Sequence, residues 1–402
     1  MKRRRVKITG IGPVTPAGIG REAFWEGILA GRSYVRPFTK LAPELGEFVA
    51  ASIDRFQIGD YVSRESLPKG VARHTLFALA GACLALRDAG LEVEEVAKMN
   101  SVVVAGSSLM DFEGIGRTIG GFEAKGLRGA VPRTVFTTNA AVIPATIGQV
   151  FRLNTRTIAI QTSCCAGLDA IGHAVRLVAE GAAEIAICGG TEAPLFRCPL
   201  VELRSTGLTP STADNAKGID RPFDLWRTTG VVSEGAAMLV IEPESSPREG
   251  YSCITGYAAA NDPMDDLCGG MAIAMRHALA EARLKPDQVD VINAWGPGHR
   301  VIDAAESRAA AQVFGDALSS IPAFSIKGAV GNALGAAPAI QVAVSALSHR
   351  HGVIPPTVNW RFADPECPLN LSNQARIVSH EHTLVNAHGL SGVNASLVMQ
   401  RC

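Results

Sequence analysis

Neither sign of charge is in excess in this sequence of 402 residues, because 38 Lys and Arg residues balance 38 Asp and Glu residues. A balanced chain produces no general attraction for a nucleic-acid backbone. The basic start MKRRR is interpreted as a solvated terminus rather than a binding arm. We therefore expect no nucleic-acid partner.

Long apolar runs are also missing. No uninterrupted apolar run approaches the roughly 20 residues that a bilayer-spanning helix needs. The basic start leads directly into VKITGIG rather than into the apolar core of a signal peptide. The sequence therefore predicts a soluble protein without membrane insertion, and the cytoplasm is its expected location.

Cysteine spacings typical of metal sites are absent as well. The nine cysteines are scattered and form no CxxC or Cys/His pattern, so reduced thiols are expected rather than a disulfide framework or a metal site. The glycine-rich segments contain no GxxxxGK[ST] phosphate loop. We therefore predict no bound metal or nucleotide.

Aromatic residues make up only 5% of the chain, whereas 47% of it is hydrophobic and 41 residues are glycine. This composition suits close packing of helices against buried sheets. The segments EIAICGG (184–190) and AAMLVIEP (236–243) are apolar without alternation, which is typical of strands covered by helices on both faces. The predicted fold class is α/β.

Cys164 has the strongest chemical context among the cysteines. The segment TIAIQTSCCAGLDAIG (157–172) passes from a β-branched run through a turn into helical apolar spacing at Leu168, Ile171 and Val175. A thiol at a helix N-terminus lies near unpaired N–H groups, which favour the thiolate and can stabilise an oxyanion. We predict that Cys164 is the nucleophile of a covalent acyl-transfer site, with Cys165 as its competitor.

Similar patterns recur in the same order along the chain. VKITGIGPVTPAG (6–18) is similar in type to SCITGYAAAND (252–262), and TIAIQTSCCAG (157–167) is similar to PAFSIKGAVGNALG (322–335). A predicted helix rich in small residues follows both 157–167 and 322–335. This weak internal repeat predicts two related halves, 1–245 with the nucleophile and 246–402.

Five segments carry a resemblance that covers nearly the whole chain: ITGIGPVTPAGIGREAFWEGILAGRS, QTSCCAGLDAIGHAVRLVAEGAAEIAICGGTEA, RPFDLWRTTGVVSEGAAMLVIE, SIKGAVGNALGAA and GLSGVNASLV. Together they resemble the β-ketoacyl-acyl-carrier-protein synthases. The resemblance implies the thiolase fold, two duplicated α/β halves layered helix, sheet, helix, sheet, helix, and a dimer. Its TxCxxG spacing, with Thr162 and Gly167, selects Cys164.

The resemblance also implies a catalytic site of one Cys and two His residues, which decarboxylate the malonyl unit and stabilise the resulting enolate. In this sequence Trp295 stands at the first His position, in NAWGP, and Asn332 stands at the second, in KGAVGN. Neither side chain exchanges a proton near neutral pH as imidazole does. Decarboxylative condensation is therefore expected to be impaired, while acylation of Cys164 is less affected.

Three charged residues resemble other parts of the family's site. Lys327 matches the active-site lysine, and Glu306 with Asp303 matches the acidic pattern that follows the first His. A buried Lys–Glu pair holds the architecture whether or not turnover occurs, so a catalytic and a structural role both stay open.

The closing loop AHGLSGVNAS resembles the family's FGFGGTN segment. Leu390 stands at the aromatic gate, and its backbone N–H and that of Cys164 are the predicted oxyanion donors. Gly230 replaces another pocket aromatic, and His299 lies in the region that resembles the pantetheine-contacting threonines. The predicted substrate pocket at Gly230, Leu390 and His299 is wider or differently shaped, unless a neighbouring Trp or a partner subunit fills the space.

Two histidines are candidates for a displaced base. His388 stands on the closing loop where the family has an aromatic residue, and His299 follows Trp295. A structural role remains the alternative for both. A further expectation from the resemblance is a docking surface for an acidic carrier protein, at Lys69, Arg73 and Arg204.

Three functions agree with these residues. The first is an acyltransferase of fatty-acid or polyketide biosynthesis with a Cys-Trp-Asn site, which accepts an acyl group from acyl carrier protein on Cys164. The second is a non-catalytic subunit that resembles the chain-length factors and pairs with an active ketosynthase. The third is a decarboxylating synthase with a relocated histidine. All three imply acyl carrier protein as the partner, a substrate on its phosphopantetheine, no bound cofactor, and a homodimer or a heterodimer with a ketosynthase homologue.

Overall fold

Two sets of strands form the centre of the molecule. The computed structural model describes residues 4–41 and 46–402. Within them the first half contains β1 (Val6–Thr15), β2 (Gly18–Ile19), β3 (Arg36–Pro37), β4 (Val49–Ala50), β5 (Ser101–Gly106), β6 (Arg156–Ile160), β7 (Ile185–Glu192) and β8 (Gly235–Pro243). The second half contains β9 (Ser252–Asn261), β10 (Val291–Asn293), β11 (Ala323–Phe324), β12 (Val353–Ile354), β13 (Arg376–Ile377), β14 (His382–Gly389) and β15 (Val393–Arg401).

Helices cover the strands and also lie between the two sets. Those of the first half are α1 (Arg21–Leu29), α2 (Arg73–Asp88), α3 (Val93–Val96), α4 (Phe112–Lys125), α5 (Thr134–Thr137), α6 (Val142–Val150), α7 (Ala166–Ala179), α8 (Arg197–Ser205) and α9 (Ala216–Ile219). Those of the second half are α10 (Gly269–Ala282), α11 (Arg300–Phe314), α12 (Lys327–Val330) and α13 (Ala337–His351).

Both halves have the same strand order. From the middle outward the first half runs β1, β8, β7, β5, β6, and the second half runs β9, β15, β14, β10, β11. Counted along the chain, each half thus places its five main strands in the order first, fifth, fourth, second, third. The shared order confirms the predicted duplication of an α/β unit.

The inner strands of the two halves pair with each other. β1 and β9 are antiparallel, with Val6 opposite Ile254 and Ile8 opposite Ser252, so the described residues form one sheet of 11 strands, with β2 attached to β1. The predicted boundary between residues 245 and 246 falls in the connection from β8 to β9 and stays a prediction.

The helices α7 and α13 occupy the layer between the two sets of strands. Helix α7 contacts β5 and β7 of its own half and β9 and β15 of the other, while α13 contacts β14, β15, β7 and β8. The outer faces are covered by α2 and α6 on one side and by α10, with α11 against it, on the other. This succession is the predicted order of helix, sheet, helix, sheet, helix.

The continuous apolar runs in the sequence are explained by this layering. Every residue of β7 is buried, as is every residue of β8 except the last. Ala186 and Cys188 face the core around the central helices, whereas Ile185 and Ile187 face the core under α2 and α6. Because alternate side chains of a strand point to opposite faces, a strand between two helical layers is apolar throughout.

The described segments show neither a membrane-spanning helix nor a metal-binding cluster, and their cysteines are unpaired. None of their helices combines the length and the apolar character that a membrane crossing requires. They contain no cluster of three or more side chains that could hold a metal ion. All nine cysteines are free thiols.

Gly167 is a testable point of contact between the halves. A Cβ at this position would lie 2.6 Å from the carbonyl oxygen of Gly335 and 3.3 Å from Cα of Gly190. We expect the substitution Gly167→Ala to lower the free energy of unfolding by about 1–3 kcal/mol, the usual cost of forcing extra atoms into a packed core. Urea unfolding followed by circular dichroism measures this change.

The matched control is Gly120→Ala in α4, where nothing lies within 4 Å of an added Cβ. Alanine exceeds glycine in helix propensity by about 1 kcal/mol, so this variant should keep or increase stability. Equal losses in the two variants would contradict the role assigned to Gly167.

Candidate active site

Cys164 lies in a tight turn between β6 and α7, and the predicted strand, turn and helix are confirmed. Within the turn, the N–H of Cys165 donates to the carbonyl of Thr162 (3.2 Å) and the N–H of Ala166 donates to that of Ser163 (3.1 Å). Ser163 has a φ of +52°, a conformation that a non-glycine residue keeps only where its surroundings enforce it. The turn holds Cys164 two residues before the first residue of α7, with 5% of its surface exposed.

The neighbouring thiol of Cys165 is committed elsewhere. It donates a hydrogen bond to the carbonyl oxygen of Val393 (3.4 Å), and burial raises its pKa well above the usual value. Cys164, by contrast, lines two cavities. The structure therefore agrees with the choice of Cys164 over Cys165.

Burial raises the pKa of the Cys164 thiol to about 11, and the nearby carboxylate of Glu192 adds to the increase. Lys327 and hydrogen bonds with the side chain of Ser163 and the backbone of Leu390 act in the opposite direction but are weaker. The expectation that the helix N-terminus would favour the thiolate was therefore wrong, because loss of hydration outweighs it. At neutral pH the thiol keeps its proton, and attack on a thioester requires a group that accepts it.

A small cavity of about 30 Å³ brings most of the predicted site residues together. Those on its wall are Cys164, Gly230, Trp295, His299, Asn332, His388 and Leu390. The remainder of the wall is apolar and was not predicted from the sequence: Leu203, Leu208, Val231, Val232, Pro297, Ile302 and Leu334. No motif marks such residues, because many apolar side chains can supply the same surface.

A second cavity, of about 250 Å³, also borders Cys164 and was not predicted. It shares Cys164, Leu203, Leu208, Leu334 and Leu390 with the first. The rest of its wall is Ser108, Leu109, Phe112, Ser163, Pro199, Glu202 and Thr206. A mostly apolar wall beside a thiol suits a hydrocarbon chain attached to that thiol.

Trp295, at the position of the first family histidine, is 2% exposed and is held through its backbone. The Glu306 carboxylate accepts hydrogen bonds from the N–H groups of Trp295 and Gly296, both at 2.8 Å. Lys327 donates to the carbonyl oxygen of Trp295, and its ammonium nitrogen lies 3.7 Å from the centre of the indole ring. We call this arrangement of Glu306, Lys327 and the Trp295 backbone the Trp295 clamp.

The two charged residues of the clamp lie behind the cavity wall. Burial lowers the pKa of Lys327 to about 7 and raises that of Glu306, while each charge partly offsets the shift of the other. In the described chain they form no direct ion pair and meet instead on the Trp295 backbone. Asp303 likewise contacts the backbone, since it accepts a hydrogen bond from the N–H of Phe223 (2.7 Å).

Asn332, at the position of the second family histidine, stabilises the turn that carries it. Its side-chain oxygen accepts a hydrogen bond from the N–H of Leu334 (3.2 Å). Its backbone pairs with Val231 at 2.7 Å and with Ser233 at 2.9 Å. The carboxamide therefore forms part of the cavity wall without a titratable proton.

The predicted widening of the pocket at Gly230 does not occur. A Cβ at this position would lie 2.2 Å from the carbonyl oxygen of Pro297, so the chain after Trp295 fills the space where the family has an aromatic residue. Leu390, at the other aromatic position, is 51% exposed and lines both cavities. Gly230 therefore adds no open space, and the predicted effect of Leu390 on the pocket stays a prediction.

The two candidate histidines have different environments. His299 precedes α11, and its Nδ1 accepts a hydrogen bond from the N–H of Ile302 (3.4 Å), so it acts as an N-cap. His388 lies at the end of β14, is 2% exposed, and its Nδ1 lies 2.9 Å from Oδ1 of Asn394. Burial lowers the pKa of both imidazoles, so both are neutral at pH 7.

Comparisons with known proteins agree with this architecture. The family descriptions "Beta-ketoacyl synthase, N-terminal domain" and "Beta-ketoacyl synthase, C-terminal domain" match residues 3–246 and 251–361. The chain is 31% identical over 415 residues to 3-oxoacyl-[acyl-carrier-protein] synthase 2 of Coxiella burnetii, covering 100% of this chain and 99% of that protein. The chain belongs to the β-ketoacyl synthase family.

Solved structures of ketosynthases share the whole fold. The ishigamide ketosynthase/chain length factor has a TM-score of 0.92 with 29% identity. A ketosynthase bound to a hexaketide, in complex with its type II polyketide synthase acyl-carrier protein, has a TM-score of 0.89 with 26% identity. Each match covers 100% of both chains, and the predicted thiolase fold is thereby confirmed.

Two of the three residues predicted for carrier-protein docking, Arg73 and Arg204, have structural contacts in this β-ketoacyl synthase family member, and the assignment of Lys69 stays a prediction. Arg73 forms an ion pair with Glu234 (2.7 Å), and the guanidinium of Arg204 lies 3.4 Å from the centre of the Phe48 ring. Arg73 is therefore not free to bind an acidic partner without losing its buried carboxylate, which weakens its assignment to a docking surface.

The Trp295 clamp predicts a stability effect of Glu306. In the variant Glu306→Gln, an NH2 group replaces one carboxylate oxygen. An NH2 group donates hydrogen bonds but does not accept them, so one of the N–H groups of Trp295 and Gly296 is left unsatisfied. We expect the free energy of unfolding to fall by about 1–3 kcal/mol, the cost of a buried unpaired polar group. Urea unfolding measures this, and Trp fluorescence reports any displacement of the indole.

Glu94→Gln, on the exposed surface of α3, is the matched control. It should change stability by less than about 0.5 kcal/mol. A Glu306→Gln protein as stable as this control would show that the clamp is dispensable.

Proposed function

We propose that this chain is a divergent ketosynthase-family acyltransferase of fatty-acid or polyketide biosynthesis, which accepts an acyl group on Cys164. The observation that carries the proposal is the position of Cys164, in a strained turn and on the walls of both cavities. The Leu390 backbone lowers the pKa of the Cys164 thiol, which supports the assignment of the backbone N–H groups of Cys164 and Leu390 as oxyanion donors.

The acyl donor in this proposal is the phosphopantetheine thioester of acyl carrier protein. The solved complex of a related ketosynthase with its acyl-carrier protein supports such a partner. The small cavity provides a place for the thioester beside Cys164, and the apolar cavity provides a place for the acyl chain. No bound cofactor takes part, because transfer between thioester and thiol needs only a nucleophile, oxyanion donors and a proton acceptor.

Decarboxylative condensation is the step that the residues support least. Trp295 and Asn332 stand where two imidazoles would act on malonyl carboxylate and enolate, and neither can accept a proton near pH 7. General acid–base groups typically contribute about 10²–10⁴-fold in rate. We therefore expect the isolated chain to release carbon dioxide from malonyl-carrier protein slowly.

A second candidate function is a chain-length-factor-like subunit that pairs with an active ketosynthase. The likeness to the ishigamide ketosynthase/chain length factor and the two missing histidines favour it. An exposed apolar segment from α4 to α5 offers a surface for a partner subunit, since Leu127 is 85% exposed and Val135 71%. A homodimer through the same surface is the corresponding arrangement for the acyltransferase.

The acyltransferase is tested by intact-protein mass spectrometry after mixing the chain with a panel of acyl-carrier-protein thioesters. We expect an acyl adduct that is retained in Cys198→Ala, an exposed-cysteine control, and is lost in Cys164→Ala. No adduct with any donor, together with copurification of an active ketosynthase, would favour the chain-length-factor-like subunit. Rapid carbon dioxide release by the unmodified chain would instead favour a decarboxylating synthase with a relocated histidine.

The missing imidazoles can also be restored. The double variant Trp295→His and Asn332→His places imidazole at both family positions, and we expect carbon dioxide release from malonyl-carrier protein to rise at least about tenfold. Trp226→His, at a side chain that is 65% exposed, is the control and should give no rise. An inactive but folded double variant would mean that the surrounding wall, rather than the two residues alone, prevents condensation.

A further inference from the structure

His388 is held by a chain of side-chain hydrogen bonds that reaches back to β9. The Nδ1 atom of its imidazole lies 2.9 Å from Oδ1 of Asn394. Nδ2 of Asn394 donates to Oδ1 of Asp262 at 2.7 Å, and Oδ2 of Asp262 lies 3.8 Å from Nδ1 of His388. Asp262 is itself fixed by the N–H of Gly270 (2.9 Å).

This series of hydrogen bonds determines which imidazole nitrogen of His388 carries the proton. The Asn394 amide nitrogen faces oxygen atoms of Asp262 and Gly392, so its carbonyl oxygen must face His388. A carbonyl oxygen only accepts hydrogen bonds, and Nδ1 of His388 is therefore the N–H donor. In neutral His388 the lone pair available to take a proton is on Nε2.

Within residues 4–41 and 46–402, that lone pair has no hydrogen-bond partner. Nε2 of His388 is buried without a hydrogen bond, as is Oδ2 of Asp262. The imidazole lines the same small cavity as Cys164, and the chain between His388 and Leu390 touches the nucleophile turn, since a Cβ on Gly389 would lie 2.9 Å from Cβ of Ser163. A buried polar atom left unsatisfied calls for an explanation, and at His388 the cavity shared with Cys164 supplies one.

We propose that Nε2 of His388 accepts the thiol proton of Cys164 during acyl transfer, with Asn394 and Asp262 as positioning residues. The proposal rests on the acyl-transfer function proposed above. As the Cys164 sulfur bonds to the thioester carbonyl carbon, its proton passes to Nε2. The bond from that carbon to the pantetheine sulfur then breaks, and the departing sulfur takes the proton back from His388. The products are the Cys164 thioester and the free carrier thiol.

The charges around the two groups set the expected pH dependence. Asp262 faces His388, and Glu192 and Lys327 act on Cys164. Burial keeps the pKa of His388 below its usual 6.5, so the base is in its active, neutral form at pH 7 and above. Without it, the reactive species is the thiolate of a thiol whose pKa is about 11, and the rate then rises steadily as the pH rises.

The test compares the full-length chain with His388→Gln and with the matched control His277→Gln, an exposed residue of α10. Peptide mass spectrometry of the digested protein, which separates Cys164 from the exposed Cys198 and Cys402, follows alkylation of Cys164 by iodoacetamide between pH 5 and 10. Acylation of Cys164 by a carrier thioester is followed in the same way over the same range. Alkylation needs the same loss of the thiol proton but no acyl donor. Thermal unfolding of each variant establishes that it is folded.

We expect the unmodified chain and His277→Gln to reach a plateau by neutral pH. In His388→Gln, both reactions should slow by about 100-fold at pH 7, within the usual contribution of a general base, and increase about tenfold per pH unit. Asp262→Asn removes the charge that raises the pKa of His388, so the rise in rate should move to lower pH and the plateau should fall.

Identical alkylation profiles in the unmodified chain and folded His388→Gln would overturn the role of His388. Alkylation that depends on His388, without an adduct from any acyl donor, would support the proton acceptor and contradict the acyltransferase. The two proposals are thus tested by separate readouts.

Discussion

Contact between the two central helices positions the loops around Cys164. A Cβ on Gly167 in helix α7 would lie 3.2 Å from Cβ of Ala339 in α13, and only 2.6 Å from the carbonyl oxygen of Gly335 in the turn before α13. The N–H of Gly335 in turn donates to the buried Glu192 carboxylate at the end of β7 (3.2 Å). Since these groups come from different halves, the cavity walls exist only where the halves pack together.

Burial controls the chemistry of this region. It raises the pKa of Cys164 and of Glu306 and lowers that of Lys327, because these groups lose their hydration. Backbone groups and a few side chains then take the place of water as their partners. The Trp295 clamp is the clearest case, because a carboxylate and an ammonium hold the polar groups of one peptide segment. Such a clamp has the same structural effect with or without imidazoles in the cavity, so the two charged residues are compatible with Trp295 and Asn332.

Several parts of the site were predictable because they depend on local pattern or residue identity. The turn at Cys164 follows from a β-branched run that is followed by helical spacing of apolar residues. The absence of imidazole at positions 295 and 332 follows from the residues themselves, Trp295 and Asn332. The pocket at Gly230 was not predictable in the same way. A small residue suggests space, but the carbonyl oxygen of Pro297 occupies that space, and its approach depends on how two distant segments of the chain pack.

The sequence by itself determined the α/β class, the duplication, the nucleophile turn and the loss of both family histidines, since these follow from periodicity and from which side chains are present. Only the tertiary structure decided that Cys164 stays protonated and that Nε2 of His388 is the free nitrogen. Both depend on groups brought together through space. Asp262 and Asn394 are 132 positions apart in the chain, and the loss of hydration at Cys164 is produced by both halves at once.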